Sequence, residues 1–445
     1  MDNELSALNI IFTEAYYWIT VVMMFLIHVG FCVYEVGVSR YKNHQHTLMK
    51  NTMLIPIVTI TFYFFGWWIY FAFPNGPFIN GGLEDASFAT PIAQEMAPNM
   101  SDHILGVFWA AFLLFSWTAA SIVSGATIER IRTGAFLILA ALIGSVCWII
   151  DAAWGWHYGG WMVQLLGYHD AYASGVIHGI AGGFALGVVM VLGPRIGKFN
   201  SDGSANTISP RNPWMITIGL FLIYTGFWGF YAACNVPIYD AGSDYGGGEA
   251  LFTATNIYLQ PTTLSGITIN FLMSLSGGLM VGYLVSKGDA FWTYSLGLAG
   301  IIGASCGNDV YHPYQAMIIA GVVAYCTYKL HFWVENTFKI DDAVGAIAVH
   351  GYAGSIGLLI SGFVLWGMPA TPYGDAVVTP WGQAIGAFIM FFVLGFVPAW
   401  ITSKILDGMG LLRIPREVEL AGLDILEMEQ RAADDAQFNK AERSA

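Results

Sequence analysis

The sequence predicts an all-α polytopic membrane protein, and three observations support this fold class. Hydrophobic residues make up 56% of the 445 residues and charged residues only 11%, with a mean hydropathy of +0.59. Apolar runs of about 20 residues, each able to cross a hydrocarbon layer about 30 Å thick as a helix, recur along the chain. Basic residues lie only near the ends of alternate runs, in the loops that follow those runs, or in the tail. Such a composition excludes a soluble two-domain enzyme.

The apolar runs predict eleven transmembrane helices, which form one transmembrane domain over residues 1–408. Their approximate bounds are 15–38, 52–73, 105–127, 134–153, 171–193, 214–235, 262–286, 289–306, 314–333, 343–366 and 381–407. The remaining residues, 409–445, are predicted to form a cytoplasmic tail.

The basic residues predict how the protein is oriented. All 17 Lys and Arg residues follow or close an odd-numbered span or lie in the tail. Because short cytoplasmic loops carry the excess of Lys and Arg, we expect the N-terminus outside and the C-terminus in the cytoplasm. The opposite loops carry acids such as Glu84, Asp170 and Asp309, which weakly favours a cationic substrate. We expect an integral protein of the inner (plasma) membrane.

One ten-residue pattern, D-A-x6-H-G, occurs twice. It reads D-A-Y-A-S-G-V-I-H-G from Asp170 to Gly179 and D-A-V-G-A-I-A-V-H-G from Asp342 to Gly351. At about 1.5 Å per residue, the His of each copy lies roughly 12 Å into the membrane. A polar group there is costly and usually faces a bundle interior or a water-filled path. A single buried His is about as often a simple helix contact, but two copies favour a functional pair, His178 and His350.

The two copies predict an inverted repeat. Span five runs inward and span ten outward, so the copies enter the membrane from opposite faces. Residues from about 15 to 193 would then correspond to residues from about 214 to 366, with the eleventh span outside the repeat. Transporters built in this way place their site at the interface of the repeats. Asp170 and Asp342 each have an ordinary interpretation as helix N-caps, and Asp170 is also placed to support a cation site at the outer mouth.

Other kinds of chemistry find no support in the sequence. The five Cys residues lie in or beside apolar segments without a CxxC pair, and the helices lack His and Glu spaced three or four residues apart. We therefore predict no metal, no cofactor and no enzyme activity. The Gly-rich runs follow no strand, so they indicate close helix packing rather than phosphate binding.

Six segments, found in the family's order, resemble the Amt/Mep/Rh ammonium transporters and in particular a bacterial-type Amt. They are E-V-G-V-S-R-Y-K-N, S-G-A-T-I-E-R-I, D-A-Y-A-S-G-V-I-H, G-F-W-G-F, D-D-A-V-G-A-I-A-V-H-G and L-R-I-P-R-E-V-E-L-A-G-L-D. The resemblance covers nearly the whole chain. It implies transport of ammonium or ammonia through a hydrophobic pore, with the cation deprotonated on entry. It also implies a homotrimer in the lipid bilayer and a PII-type regulatory protein at the cytoplasmic face.

The resemblance assigns roles to seven residues. They are the twin pore histidines His178 and His350, the gate phenylalanines Phe115 and Phe230, and Asp170, Tyr158 and Cys234 at the outer site that recruits the substrate. Without the resemblance, either Phe among 30 would be interpreted as ordinary core.

The outer vestibule departs from the family pattern. Tyr158 stands where the family usually has Trp, with Trp154, Trp156 and Trp161 as alternatives, and Cys234 stands where Ser is common. Tyr231 replaces an Asn after the gate, and Gly345 replaces an Asp near the second His. These departures place high-affinity recruitment of ammonium in question while the pore is kept.

Three alternative functions stay open. A carrier of methylated amines, including methylammonium, and an Rh-like gas channel would differ from an ammonium transporter only in the vestibule. An ammonium sensor would signal through its tail, although about 37 residues are few for a catalytic output domain.

Overall fold

The computed structural model describes residues 2–76, 103–237 and 254–425. Helices occupy all eleven predicted positions. They are α1 Asp2–Val38, α2 Tyr41–Ala72, α3 His103–Ala126, α4 Thr133–Gly155, α5 Ser174–Leu192, α6 Pro213–Ala233, α7 Leu264–Val285, α8 Ala290–Ser305, α9 Pro313–Phe338, α10 Ile347–Val364 and α11 Pro380–Gly408. Within the described residues, ten of them are long and apolar enough to cross a membrane, whereas α8 has 16 residues. The predicted loop acid Glu84 and the tail beyond residue 425 lie outside the described residues.

Helix α2 begins at Tyr41, well before the predicted start at residue 52. Its first turns are polar, so the apolar run misses them, but contacts from elsewhere stabilise them. The carboxylate of Asp424 accepts hydrogen bonds from the backbone N–H groups of Gln45 and His46, at 2.8 and 3.0 Å. The side chain of Lys50 is fully buried. The start of this helix therefore depends on the tail and not on local hydrophobicity.

The tail folds back over one end of the helix bundle, and we call this end the tail side. Arg413 pairs with Ile131 in an antiparallel bridge, and its guanidinium donates to the carbonyl of Leu192 at 2.7 Å. A short helix, Arg416–Ala421, follows. Its Glu419 accepts a hydrogen bond from the N–H of Ile196 at 2.7 Å. The tail thus ties together the segments that follow α3 and α5.

Three short strands lie at the end of the bundle away from the tail. They are β1 Asn235–Pro237, β2 Ala254–Asn256 and β3 Pro261–Thr262, and they pair antiparallel in the order β1-β2-β3. Between β2 and β3, the hydroxyl of Tyr258 donates to the carbonyl of Gly155 at 2.8 Å and accepts from the N–H of Asp170 at 2.9 Å. The hairpin therefore anchors the segment that leads into α5.

Glycines allow α5 and α10 to meet at the centre of the bundle. A Cβ atom added to Gly182 would lie 2.2 Å from the Cα atom of Gly351, so a larger residue cannot be accommodated without moving the backbone. Small residues at such crossings let membrane helices approach closely. This crossing brings the ends of the two repeated patterns together.

Candidate functional site

The two histidines lie on wide helical turns. Residues Ser174–Gly179 open α5 as a π-helical turn, and residues Ile347–Tyr352 open α10 in the same way. Such turns are rare and occur frequently at functional sites. His178 is the fifth residue of the first turn and His350 the fourth of the second. The repeated sequence pattern therefore corresponds to a repeated backbone feature.

The structure brings the two imidazoles into direct contact. The Nδ1 atoms of His178 and His350 are 3.0 Å apart, and the ring centroids are 5.1 Å apart. His178 has no exposed surface and His350 has 4%. A hydrogen bond at this distance requires one Nδ1 to donate and the other to accept. Among the described residues, Nε2 of His178 has no hydrogen-bond partner, so it is available to a small polar molecule.

The two predicted gate phenylalanines touch each other beside the histidines. The rings of Phe115 and Phe230 lie 4.8 Å apart at 85°, an edge-to-face contact. Phe230 also stacks on His178, with centroids 5.5 Å apart. A third ring, Phe227, stacks on both Phe230 and His178, at 4.9 and 5.8 Å. The sequence alone does not point to Phe227, although its spacing of three residues from Phe230 places both on one helix face.

Trp156, rather than Tyr158, packs against the gate. The Trp156 ring lies 5.1 Å from that of Phe115, and its indole N–H donates to the carbonyl of Asp170 at 2.7 Å. Tyr158 is 42% exposed and stacks on His157 at 4.9 Å. Helix α4 ends just before Trp156, and the turn that follows directs Tyr158 toward the surface. The structure therefore favours Trp156 among the alternatives for the missing family Trp.

Asp170 caps the helical turn that carries His178. Its carboxylate has no exposed surface. It accepts hydrogen bonds of 2.6 to 3.1 Å from the backbone N–H groups of Ser174, Gly175 and Val176 and from the hydroxyl of Tyr168. Burial raises the pKa of Asp170 above its usual value, and these donors act in the opposite direction. Asp170 thus caps this turn from outside it, although Ala173 holds the N-cap position itself, and recruitment of a cation by Asp170 stays a prediction.

Cys234 and Tyr231 lie at the end of α6. Cys234 is fully buried, and its thiol donates to the carbonyl of Phe230 at 3.3 Å. The ring of Tyr231 stacks on that of Tyr172, with centroids 4.1 Å apart and planes 9° apart. The hydroxyl of Tyr231 lies 2.7 Å from Oγ of Ser305. A tight tyrosine pair thus stands where the family resemblance places an Asn after the gate.

A narrow cavity leads from His350 toward the tail side. It has room for about one water-sized molecule. Tyr34 lies at its edge, stacks on Phe291 with centroids 6.1 Å apart, and donates to the carbonyl of Val344 at 3.0 Å. Beyond this ring pair lies a wider pocket that opens on the tail side. Its polar lining includes Arg195, Lys198, Asp289, His331, Glu335 and Asp342.

Two further observations concern charged and metal-binding groups. Asp151 of α4 is fully buried, and neither of its carboxylate oxygens has a hydrogen-bond partner among the described residues. The sequence alone does not distinguish Asp151 from other acids in apolar helices. The described residues also contain no group of three or more His, Cys, Asp or Glu side chains that could hold a metal ion.

Comparison with known proteins identifies close relatives in sequence and fold. The profile of the Ammonium Transporter Family matches residues 15–433. The chain is 28% identical over 439 residues to ammonium transporter Amt2 of Archaeoglobus fulgidus, covering 91% of this chain and 84% of the relative. It is 29% identical over 411 residues to Amt2 of Methanocaldococcus jannaschii, covering 91% and 87%.

Two solved structures are similar. The "Sensor Amt Protein" has a TM-score of 0.77 at 26% identity and covers 96% of this chain and 100% of its own. Saccharomyces cerevisiae Mep2 shares the fold, with a TM-score of 0.69 at 16% identity. The match covers 91% of this chain and 88% of the Mep2 chain.

Proposed function

We propose, because this chain belongs to the ammonium transporter family, that it passes ammonia across the membrane by way of the two histidines. Its substrate would arrive as ammonium, and ammonia would travel from the Phe115 and Phe230 contact to the tail side. The observation that carries the proposal is the 3.0 Å contact between the Nδ1 atoms of His178 and His350, beside the stacked rings of Phe227 and Phe230.

The surroundings of the bore support deprotonation before entry. The Trp156 ring beside the gate is suited to attract a small cation through a cation–π interaction. A charged ion in the dry bore would lose its hydration without compensation, which costs far more than moving a neutral molecule. Ammonium would therefore give up its proton before the gate, and ammonia would proceed alone. The proton would cross separately by way of the contact between His178 and His350, so that each transported molecule carries one net charge and gives a current.

Neutral imidazoles suit this path. A buried imidazole is more stable when uncharged, and each of its two ring nitrogens then has a distinct role. The free Nε2 of His178 would hydrogen-bond ammonia after it passes Phe230. Since the rings of Phe115 and Phe230 touch in this structure, passage also requires one of them to rotate.

The proposal extends to the cellular arrangement. We infer that the tail side faces the cytoplasm, that the protein lies in the plasma membrane as a homotrimer, and that a PII-type protein binds on the tail side. Family membership and the distribution of basic residues support these inferences. A reporter fused after Ala445 should report the cytoplasm, and one inserted within residues 77–85 should report the exterior. The reverse result would overturn the orientation.

Transport currents in proteoliposomes test the proposal directly. The wild type is compared with His178→Ala, His350→Ala and the double variant, using ammonium, methylammonium, trimethylammonium and potassium. We expect ammonium current per folded protein to fall at least tenfold in each Ala variant. His28→Ala is the matched control, because His28 is also a buried intramembrane His but bonds to Ser121 and to the carbonyl of Asn51. Normal ammonium current in the double variant would refute the proposal.

Ammonium sensing is a second candidate, and one observation favours it. The path is closed by the ring contact of Phe115 and Phe230, and a structurally similar chain is named as a sensor. A sensor would bind ammonium, as seen in a raised thermal midpoint, while passing no current in the same liposomes. In the same set of substrates, a carrier of methylated amines would give a current with methylammonium or trimethylammonium. A gas channel, which passes the neutral molecule, would give a current with none of the cations.

A further inference from the structure

The pocket beyond Tyr34 and Phe291 contains charged groups that are mostly paired. Arg195 donates to both carboxylate oxygens of Asp341, at 2.8 and 2.9 Å. Lys198 lies 2.6 Å from a carboxylate oxygen of Glu335. The two basic residues of the lining are therefore neutralised by acids of the protein, and no positive charge is left to attract an anion.

Asp342, which lines the same pocket, is not neutralised. Its Oδ2 accepts from the N–H of Ala348 at 3.1 Å, whereas its Oδ1 is buried and has no hydrogen-bond partner among the described residues. The nearest ring nitrogen of His331 is 3.9 Å from Oδ2, too far for a hydrogen bond. Only 9% of the residue is exposed. Burial raises its pKa to about 7, which is the physical sign of a carboxylate without a cationic partner.

An indole, that of Trp292, lines the same pocket as this carboxylate. The ring of Trp292 is 4.6 Å from that of His331, and its Cη2 atom lies 3.3 Å from the point where a Cβ of Gly345 would be. Gly345 takes a left-handed φ of +71°, which a β-carbon would disfavour. The indole therefore packs where the family commonly has an Asp side chain. A carboxylate, an aromatic ring and an imidazole now surround one end of the pocket.

We propose that this pocket is a second substrate site, which holds an ammonium-type cation, ammonium or methylammonium, between Asp342 and Trp292 on the tail side of the bore. The inference rests on the proposed function for the choice of cation. A carboxylate and an indole recognise such a cation by charge and by the ring face. A divalent metal would require six or more oxygen ligands, which the pocket does not offer among its described residues.

The test compares the apparent KM of the current for ammonium supplied from either side, in inside-out and outside-out membrane patches. Asp342→Asn keeps an oxygen for the N–H of Ala348 but removes the charge. We expect its KM from the tail side to rise at least fivefold and its KM from the opposite side to stay within twofold. Asp289→Asn is the matched control, because it removes an equal charge from an exposed position in the same pocket and likewise keeps an oxygen for a backbone N–H, that of Trp292. Equal KM changes in the two variants would overturn the proposal.

A second measurement does not depend on transport. In detergent, the thermal midpoint of the full chain is followed as methylammonium chloride replaces sodium chloride. We expect methylammonium to stabilise the wild type more than Trp292→Phe, which keeps a ring but loses the indole. If Asp342→Asn does not fold, the comparison of the wild type with Trp292→Phe still tests whether the pocket binds the cation. Equal stabilisation of both proteins would refute the site, whereas absence of current in the wild type would count only against the proposed function.

Discussion

Replacing Asp170 separates a positioning role from recruitment of the substrate. In Asp170→Ala, three buried backbone N–H groups at the start of α5 lose their acceptor. Each unsatisfied group costs about 1–3 kcal/mol, so the loss is roughly 3–9 kcal/mol. Typical folding free energies are about 5–15 kcal/mol. We therefore expect Asp170→Ala to yield little folded protein.

The informative variant is Asp170→Asn, which keeps one oxygen acceptor and the size of the side chain. The change removes the negative charge that strengthens the remaining hydrogen bonds, and it directs an NH₂ group at a backbone N–H. Together these effects lower the free energy of unfolding by about 3 kcal/mol. The turn that holds His178 should loosen as a result. We expect a lower thermal midpoint and a smaller ammonium current per folded protein, with the apparent KM from the side opposite the tail within twofold of the wild type.

The assay combines intrinsic-fluorescence unfolding in detergent with current measurements on the same preparation. Asp309→Asn is the matched control, because Asp309 is a buried acid at the same end that pairs with the side chains of His169 and Asn256. If Asp170 instead attracts the cation electrostatically, Asp170→Asn should raise the KM tenfold or more with an unchanged midpoint. That pair of results would refute the positioning role.

Three further predictions follow from individual contacts. Trp156→Phe should raise the KM for ammonium several-fold because a phenyl ring attracts a cation less strongly than an indole, whereas Tyr158→Phe, at an exposed position, should leave KM unchanged in the same current assay. Asp424→Ala should destabilise the start of α2 by about 1 kcal/mol and speed tryptic cleavage of the tail, since two N–H groups lose their cap; an unchanged cleavage rate would contradict this. Asp151→Asn should keep or raise the thermal midpoint at pH 8, because its carboxylate has no partner among the described residues; a clear drop would reveal one.

The sequence predicted what depends on local patterns. Hydropathy located the helices, and the repeated pattern located His178 and His350, because both signals lie within single helices. The family spacing also identified Phe115 and Phe230, which do touch. The place of Tyr158 could not be predicted by counting residues, because α4 ends before it and the turn that follows does not keep helical spacing; its role in recruitment stays a prediction.

Contacts between distant segments could not be predicted. The capped start of α2 depends on Asp424, more than 370 residues away in the chain. The tail-side pocket joins Trp292, His331 and Asp342 from three elements, and of these only Asp342, which opens the repeated pattern, stands out in its own segment. The sequence left Asp170 with two roles. The three backbone donors around its carboxylate support the capping role, and the recruitment role stays a prediction.

The π-helical turns make the histidine contact sensitive to the number of residues in each helix. A π-turn holds one more residue than an α-turn, and each residue advances an α-helix by about 100°. Deleting one residue from Ser174–Gly179 would let the turn relax to α geometry with the rest of α5 in register, but the side chains inside the turn, His178 among them, would point in new directions. His178 would then no longer face His350, although the composition and hydropathy of the helix would barely change. Single-residue insertions or deletions in these two turns should therefore be tolerated by folding and not by transport.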